Sequence, residues 1–175
     1  MITIVDYNAG NLTSVKRALD FLNIESEISP DPEFIRSSEK IIFPGVGHAA
    51  SAMDTLKKRH INDALMDAFK KGTPLFGICL GTQIILSHSE EGDTQCLGLI
   101  EGNTRKFSLT NPSLKIPHMG WNSLTIKKKH PMLNGITEGT EFYFVHSYYP
   151  QPSAEDNIIA VSDYEIQFPS VIAKD

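Results

Sequence analysis

The stretch Pro74-Leu75-Phe76-Gly77-Ile78-Cys79-Leu80-Gly81-Thr82-Gln83 decides the fold of this chain. An apolar run typical of a buried strand passes through Gly-x-Cys-x-Gly into a helical segment, which is the form of a nucleophile elbow with cysteine as the nucleophile. The two glycines leave space where backbone segments crowd a sharp turn. We therefore expect Cys79 to project at a helix N-terminus, where the helix dipole favours the thiolate and the Leu80 amide faces a developing oxyanion.

The first half of the chain alternates strand-like and helix-like segments. Apolar runs ended by turn residues predict strands at 1–6, 24–28, 40–43 and 74–78. Helical spacing predicts helices that begin after an Asn11 N-cap, span Ile61–Phe69 before Gly72, and cover Leu80–Ser87. This alternation indicates a parallel sheet with helices on both faces, and we predict a three-layer flavodoxin-like open sheet.

The second half is richer in strands. Strand-like segments separated by Gly, Pro and Asn lie at Leu99–Leu109, Asn122–Lys127, Glu141–Tyr149 and Asn157–Ser162. We therefore predict one mostly parallel sheet with an antiparallel, β-rich C-terminal portion. The active site is expected at the carboxyl ends of the parallel strands, where Cys79, Pro44–Gly47 and Asp6–Asn11 converge.

Composition excludes several classes of function. The 175 residues carry 16 Lys and Arg against 21 Asp and Glu, a net charge of −5 without a basic stripe, which disfavours nucleic-acid or membrane-surface binding. We read no signal peptide and no membrane span, and two cysteines, Cys79 and Cys96, make no disulfide framework. We expect a cytoplasmic protein with free thiols and neither a metal nor an organic cofactor, because no ligand spacing or phosphate-binding loop occurs.

Several motifs resemble one enzyme family. GICLGTQ (77–83) is similar to the nucleophile motif of class I glutamine amidotransferases. DYNAGN (6–11) with LTSV (12–15), PGVG (44–47) and PHMGWN (117–122) resemble the glutaminase subunits of imidazole glycerol phosphate synthase, in histidine biosynthesis. The resemblance extends from residue 1 to about residue 173 and favours this branch over the anthranilate, GMP and carbamoyl-phosphate relatives. It implies hydrolysis of L-glutamine and transfer of the ammonia to a synthase subunit.

The resemblance implies a role for each matched segment. Cys79 attacks the glutamine carboxamide, and a glutamyl thioester forms and is hydrolysed. The oxyanion is stabilised by Leu80 and by the segment containing Val46 and Gly47, where a peptide rotation presents the Val46 amide. Residues implied in substrate binding are Gln83, Ser147, Tyr148 and, with a solvated loop carboxylate as an equal alternative, Glu91. His146 invites assignment as the general base, but its place in a strand-like run favours a structural role.

The resemblance also implies a partner. PHMGWN resembles the partner-facing loop of the family, and Trp121, the only tryptophan, is a natural interface anchor. Asn122, Asn11 and Tyr143 align with positions near the same interface. The implied partner is a (β/α)8-type cyclase or synthase subunit in a heterodimer. Because free ammonia becomes protonated in water, a sealed contact would be part of the chemistry.

One feature departs from the family pattern. The triad needs a base and a group that orients it, which the family supplies in a C-terminal His-x-Glu motif. Here neither His nor Glu follows Ile166-Gln167-Phe168-Pro169, and the single domain at 1–175 stops about 25 residues before the usual family end. Either the chain is incomplete or it is a glutaminase-dead subunit; as written, we predict little glutaminase activity.

Two other readings stay open. The elbow also fits a cysteine hydrolase or redox chaperone of the broader α/β class, although Gln83 and PHMGWN argue against that class. Alternatively, the chain is a non-catalytic interaction subunit that completes a synthase using external ammonia. The missing C-terminal motif supports this third reading, and the intact GICLGTQ argues against it.

Overall fold

A computed structural model describes residues 1–174. Thirteen strands and five α-helices are present in this range, with 3-10 turns at Pro131–Leu133 and Glu155–Asn157. In chain order they are β1 (Ile2–Val5), α1 (Leu12–Phe21), β2 (Ser26–Ser29), α2 (Pro32–Arg36), β3 (Lys40–Gly45), α3 (Ala49–Lys58), α4 (Ile61–Lys70), β4 (Leu75–Cys79), α5 (Leu80–Ile84), β5 (His88–Ser89), β6 (Thr94–Gln95), β7 (Gly102–Lys106), β8 (His118–Ser123), β9 (Thr125–Ile126), β10 (Glu141–His146), β11 (Tyr148–Pro152), β12 (Ile158–Tyr164) and β13 (Ile166–Ile172).

The first four strands form a parallel sheet in the order β2-β1-β3-β4. This is the start of the flavodoxin-like order, in which the chain switches direction between β1 and β3. Gly45 at the end of β3 lies in register with Cys79 at the end of β4. The predicted mixed α/β class is therefore confirmed, and the segments expected to form the site meet at one edge of the sheet.

The helices follow the local signals where these are strong. Asn11 is the N-cap of α1 and accepts a hydrogen bond from the Ser14 amide, as predicted. Helix α4 ends at Lys70, and Gly72 follows with φ +82°, also as predicted. Helices α2 and α3 have weaker signals and were not predicted.

Helix α5 ends at Ile84, three residues before the predicted end. The carbonyls of Ile84, Ile85 and Leu86 accept hydrogen bonds from amides in the segment 97–100 instead of from a further helical turn. A long-range connection therefore satisfies the groups that a longer helix would have paired.

The antiparallel half differs from its prediction. Its strands form three separate sheets, β10-β8, β11-β7-β5-β6 and β13-β12-β9, rather than an extension of the parallel sheet. The segment predicted as one strand over Glu141–Tyr149 divides at Ser147 into β10 and β11, which belong to different sheets. The Ser147 carbonyl accepts from the Phe107 amide, and β11, which begins after this division, contacts α5.

One apolar core cluster joins the helices to the parallel sheet, and its fully buried members include Phe43, Leu56, Leu65 and Leu86. A second, aromatic cluster surrounds Phe107 in the antiparallel half. Among the described residues, no helix combines the length and apolarity needed to span a bilayer.

Candidate active site

Cys79 lies at the corner between β4 and α5. Its backbone is at φ 55° and ψ −115°, a region that an L-residue rarely adopts, and its side chain is exposed. Such an outlier costs about 1–3 kcal/mol and persists only where the surrounding fold imposes it. The corner therefore holds the sulfur in the open, as a nucleophile elbow requires.

The flanking glycines are required by close backbone approach. A Cβ on Gly81 would lie 1.9 Å from the Phe43 carbonyl oxygen, and a Cβ on Gly77 would lie 2.8 Å from the Thr82 nitrogen. The Thr82 hydroxyl donates to the Gly77 carbonyl at 2.7 Å and closes the turn. The Gly-x-Cys-x-Gly spacing is thus a steric requirement of packing α5 against β3 and β4.

The electrostatics of Cys79 differ from the expectation. Desolvation raises the pKa of the thiol, the Leu80 amide hydrogen bond lowers it, and the charge of Glu91 raises it further. The net direction is upward, so the expected thiolate is not favoured by the five-residue helix α5 alone. The Leu80 amide acts in the predicted direction, but the surrounding protein outweighs it. Deprotonation of Cys79 therefore needs a base.

The segment expected to supply the second oxyanion donor lies beside Cys79. Val46 follows Gly45, the residue in register with Cys79, and its side chain is 56% exposed. Gly47 has φ +102° and open space around its Cα. The Val46 and Gly47 amides donate no hydrogen bond within the described residues. Two unpaired amides therefore lie one and two residues beyond the end of β3, the strand that borders the nucleophile.

Gln83 and Tyr148 come together although 65 residues separate them. The Gln83 side-chain amide donates to the Tyr148 carbonyl at 2.9 Å, and the Thr104 hydroxyl donates to the Gln83 carbonyl at 2.8 Å. Ser147 lies between β10 and β11. The structure therefore brings Gln83 into contact with the Tyr148 backbone, next to Ser147. These are three of the residues that the resemblance implies in substrate binding.

Glu91 has a structural contact. Its carboxylate accepts from the Ala49 amide at 2.7 Å, at the first turn of α3, where a negative charge is favourable. Its charge raises the pKa of both Cys79 and Tyr148, which places the carboxylate within electrostatic range of the site. Glu91 thus holds the loop to α3 and also adds negative charge near the nucleophile.

Neither His146 nor His88 is placed to take the Cys79 proton. His146 bonds through Nε2 to His118 and through Nδ1 to the Tyr148 carbonyl, both at 2.9 Å, and burial lowers its pKa. A His-x-Glu triplet that the sequence analysis overlooked occurs at 88–90, but His88 pairs with Asp93 and Glu90 pairs with Arg105. Neither histidine is shown in contact with Cys79.

The strands β8 and β10 form a two-stranded ribbon with two different faces. Its outer face exposes Met119, Trp121, Tyr143 and Val145, and the Trp121 and Tyr143 rings meet edge to face at 5.7 Å. The Asn122 side chain is directed to the inner face, where it donates to the Asp163 carbonyl, because alternate strand residues point to opposite faces. The predicted interface residues Trp121 and Tyr143 therefore share a surface, and Asn122 does not belong to it.

Asn11, the remaining predicted interface residue, uses its side chain to cap α1. It is exposed and follows β1 at the carboxyl edge of the parallel sheet. No described contact joins it to Trp121 or Tyr143.

Tyr7 belongs to the segment Asp6–Asn11 expected at the site, but the sequence analysis gave it no role of its own. It is 1% exposed, and its buried hydroxyl has no hydrogen-bond partner. A Cβ on Gly45 would lie 2.3 Å from that oxygen, so the phenol packs directly under the segment that leads to Val46. Burial and the Cys79 charge both raise its pKa. The DYNAGN segment (6–11) indicated this position, but no local pattern indicates that the hydroxyl is buried without a partner.

An apolar groove of about 600 Å³ borders the site. It follows β4 as far as Cys79 and is lined by Phe76, Leu133, Ile136 and Phe142 among others. Over the described range, β4 pairs only with β3, so its other edge is open to this groove. The described residues include no group of three or more His, Cys, Asp or Glu placed to hold a metal ion.

Comparison with known proteins gives consistent matches. Residues 3–175 match the family model described as glutamine amidotransferase class-I. A relative from Nitratidesulfovibrio vulgaris (strain DSM 19637 / Miyazaki F), named imidazole glycerol phosphate synthase subunit HisH, is 45% identical over 173 residues, 96% of this chain and 81% of the relative. A protein of the same name from Dehalococcoides mccartyi (strain CBDB1) is 40% identical over 98% of this chain and 83% of its own length.

The fold comparison agrees. A crystal structure of a glutamine amidotransferase superposes with a TM-score of 0.71 at 17% identity, covering 93% of this chain and 85% of that one. At this identity the likeness concerns the fold alone.

Proposed function

The chain belongs to the class-I glutamine amidotransferase family, and we propose that it works there as the glutaminase subunit of an imidazole glycerol phosphate synthase. In this role it hydrolyses L-glutamine to glutamate and ammonia. The observation that carries the proposal is the strained, exposed corner at Cys79, which lies in register with Gly45 and beside the unpaired amide of Val46.

The chemistry follows from these groups. The Cys79 sulfur adds to the carbonyl carbon of the glutamine side-chain amide, and the carbonyl oxygen becomes an oxyanion. We assign the Leu80 and Val46 amides, with Gly47 as the pivot, to stabilise that oxyanion. The C–N bond then breaks, the nitrogen leaves as ammonia with a proton, and a thioester remains. Water attacks the thioester, which releases glutamate and returns the thiol.

Substrate binding is assigned to the residues around α5 and β11. The Gln83 side chain, held by the Tyr148 carbonyl, keeps its amide oxygen free to accept a hydrogen bond from glutamine. Backbone groups of Ser147 and Tyr148 line the same place. The Glu91 carboxylate complements a substrate ammonium, in addition to its contact with α3.

The synthase partner is proposed to dock on the outer face of the β8–β10 ribbon. Exposed Trp121 and Tyr143 form an aromatic pair there, flanked by Met119 and Val145, and aromatic anchors of this kind dominate interface energies. A (β/α)8 partner in a heterodimer and a cytoplasmic location, both expected from the sequence, stay predictions.

Covalent labelling by acivicin, an electrophilic glutamine analogue, tests the proposed function. We expect one adduct, located at Cys79 by peptide mass spectrometry, and we expect glutamine to slow its formation while asparagine does not. The buried Cys96 serves as an internal control, and C79S should remain unlabelled. Labelling at Cys96, or labelling of Cys79 that glutamine does not slow, would contradict the proposal.

A second candidate is a subunit that binds the synthase without supplying ammonia. It is favoured by the raised pKa of Cys79 and by the engagement of both His146 nitrogens. Ammonia release from glutamine in the presence of the synthase subunit distinguishes the two. Ammonia release that depends on glutamine and is lost in C79S supports the glutaminase role, and binding of the synthase subunit without such release supports the second candidate.

A further inference from the structure

Two histidines, His118 and His146, lie in an otherwise aromatic cluster of the antiparallel half. His118 is 3% exposed and stacks on Tyr164 with ring centroids 4.0 Å apart. Phe107, Phe144 and Phe168 surround the pair. Polar rings buried among apolar ones are costly unless every nitrogen is hydrogen-bonded, so the partners of the four ring nitrogens define what the pair does.

The carbonyl of Tyr148 fixes the protonation of both rings. It can only accept, so His146 Nδ1, 2.9 Å away, carries a hydrogen. In a neutral ring His146 Nε2 is then bare, and it accepts from His118 Nδ1 at 2.9 Å. His118 Nε2 is bare in turn and faces the Asn122 side-chain nitrogen at 3.4 Å.

The other end of the chain of bonds imposes the same arrangement. Asn122 donates through its side-chain nitrogen to the Asp163 carbonyl at 2.9 Å, and its side-chain oxygen accepts from the Ser123 amide at 2.9 Å. The amide orientation is therefore fixed, with its nitrogen toward His118. Both ends require hydrogen at Nδ1 of each histidine. The hydrogen bonds from Asn122 through the two histidines to the Tyr148 carbonyl therefore all donate in the same direction. Burial lowers the pKa of both rings, which keeps them neutral near neutral pH.

The chain of bonds ends at the substrate site. The Tyr148 carbonyl that accepts from His146 also accepts from the Gln83 side chain. The position of this carbonyl therefore holds the Gln83 side-chain nitrogen and sets the orientation of that amide. Resting on the proposed function, we propose that His118 and His146 are positioning residues for glutamine binding, which act through the Tyr148 carbonyl on Gln83.

Two substitutions at His118 separate this role from simple packing. H118F keeps a ring of similar size in the aromatic cluster but removes the donor to His146. H118N leaves a cavity, yet places an amide nitrogen near the position of Nδ1 and retains the bond to His146. A packing role therefore predicts that H118N is the worse variant, and a hydrogen-bond role predicts that H118F is.

The readout is the concentration dependence of Cys79 alkylation by acivicin, which separates the inhibitor binding constant KI from the maximal rate. We expect H118F to raise KI about fivefold or more and to leave the maximal rate within about twofold, because the lost bond orients a binding residue only. We expect H118N to stay within about twofold of the parent KI. A parent-like KI in H118F, or a higher KI in H118N than in H118F, would overturn the proposal.

The proposed positioning role of His118 and His146 is called the relay below. The experiment distinguishes failure of the proposed function from failure of the relay. If glutamine does not slow alkylation of the parent protein, both fall; if it does and the H118F constant is unchanged, only the relay falls. Should H118F fail to fold, long-range proton–nitrogen NMR of the parent protein at neutral pH decides. Hydrogen at Nδ1 and a bare Nε2 in both histidines is the expected result, and an Nε2-protonated ring in either one refutes the relay.

Discussion

The parallel half of the molecule and the antiparallel half hold site residues by different means. In the parallel half, Cys79 is held by close backbone contact, with Gly81 against the Phe43 carbonyl. In the antiparallel half, the Tyr148 carbonyl is held by the hydrogen bonds it accepts from His146 and from Gln83 of α5. Repulsion between atoms in contact rises steeply with overlap, whereas a hydrogen bond depends on protonation and tautomer. The two halves should therefore fail under different perturbations.

The largest expected effect on stability comes from adding a methyl group where Gly81 contacts the Phe43 carbonyl in the parallel half. G81A would place a methyl group 1.9 Å from the Phe43 carbonyl oxygen, so α5 and β3 must separate. We expect urea denaturation to show a loss of about 4 kcal/mol or more in the free energy of unfolding, or no folded protein at all.

Gly139 provides a control without a clash. It has nothing within 4 Å of an added Cβ, and its φ of +78°, which Gly81 does not share, adds backbone strain, so G139A reports the conformational cost of alanine alone. We expect it to cost about 1 kcal/mol. Equal losses in the two variants would mean that backbone contact does not hold the elbow.

The second effect is confined to the antiparallel half and depends on pH. Burial lowers the pKa of His118 from 6.5 to about 4. Between these two pH values His118 is therefore neutral in the folded state and protonated in the unfolded chain. This contribution to stability is complete above pH 6.5 and is lost as the pH falls toward 4. The shift corresponds to at most about 3 kcal/mol, and His146 adds to it in the same direction.

Chemical denaturation at a series of pH values measures this contribution. In H118F, the decline in the free energy of unfolding between pH 6.5 and 4 should be much shallower than in the parent protein. Carboxylates with lowered pKa, such as Glu90, lose their contribution only below about 4.5, outside most of this window. An unchanged slope in H118F would show that His118 is not the buried neutral group.

Much of the parallel half could be predicted from the sequence, and little of the antiparallel half. The N-cap at Asn11 and the end of α4 at Gly72 are local signals, because each depends on neighbours within a few residues. The separation of β10 from β11 at Ser147 depends on the Phe107 amide, 40 residues earlier in the chain. A pattern read along the chain contains no such partner.

The third prediction compares the two faces of the β8–β10 ribbon. W121A removes an exposed ring from the outer face, so we expect the free energy of unfolding to change by less than about 0.5 kcal/mol. Binding to the synthase subunit, measured by calorimetry, should weaken at least about tenfold.

Phe21 is a suitable control for the ribbon surface, because it is also an exposed aromatic residue but lies at the end of α1. F21A should leave binding to the synthase subunit unchanged. If W121A and the parent protein bind the synthase subunit equally well, the outer face of the ribbon is not the docking surface.

The smallest expected effect is a gain in stability at the nucleophile. Glycine adopts φ 55° without the strain that Cys79 bears, so C79G should raise the free energy of unfolding by about 1 kcal/mol while abolishing alkylation. C79S, which keeps the Cβ, should match the parent stability. A loss of stability in C79G would show that the corner is not strained.

The sequence by itself determined the elbow and the alternation of strands and helices that supports it, because glycine spacing and apolar periodicity act over a few residues. The family was indicated by the resemblance of its motifs, such as GICLGTQ (77–83) and PHMGWN (117–122). Only the tertiary structure decided the direction of the Cys79 pKa shift, the unpaired Tyr7 hydroxyl and the hydrogen bond between His118 and His146. Each of these depends on groups brought together from distant parts of the chain, such as His118 and His146, 28 residues apart. Burial and hydrogen-bond partners arise only when the chain is folded, so no local pattern specifies them.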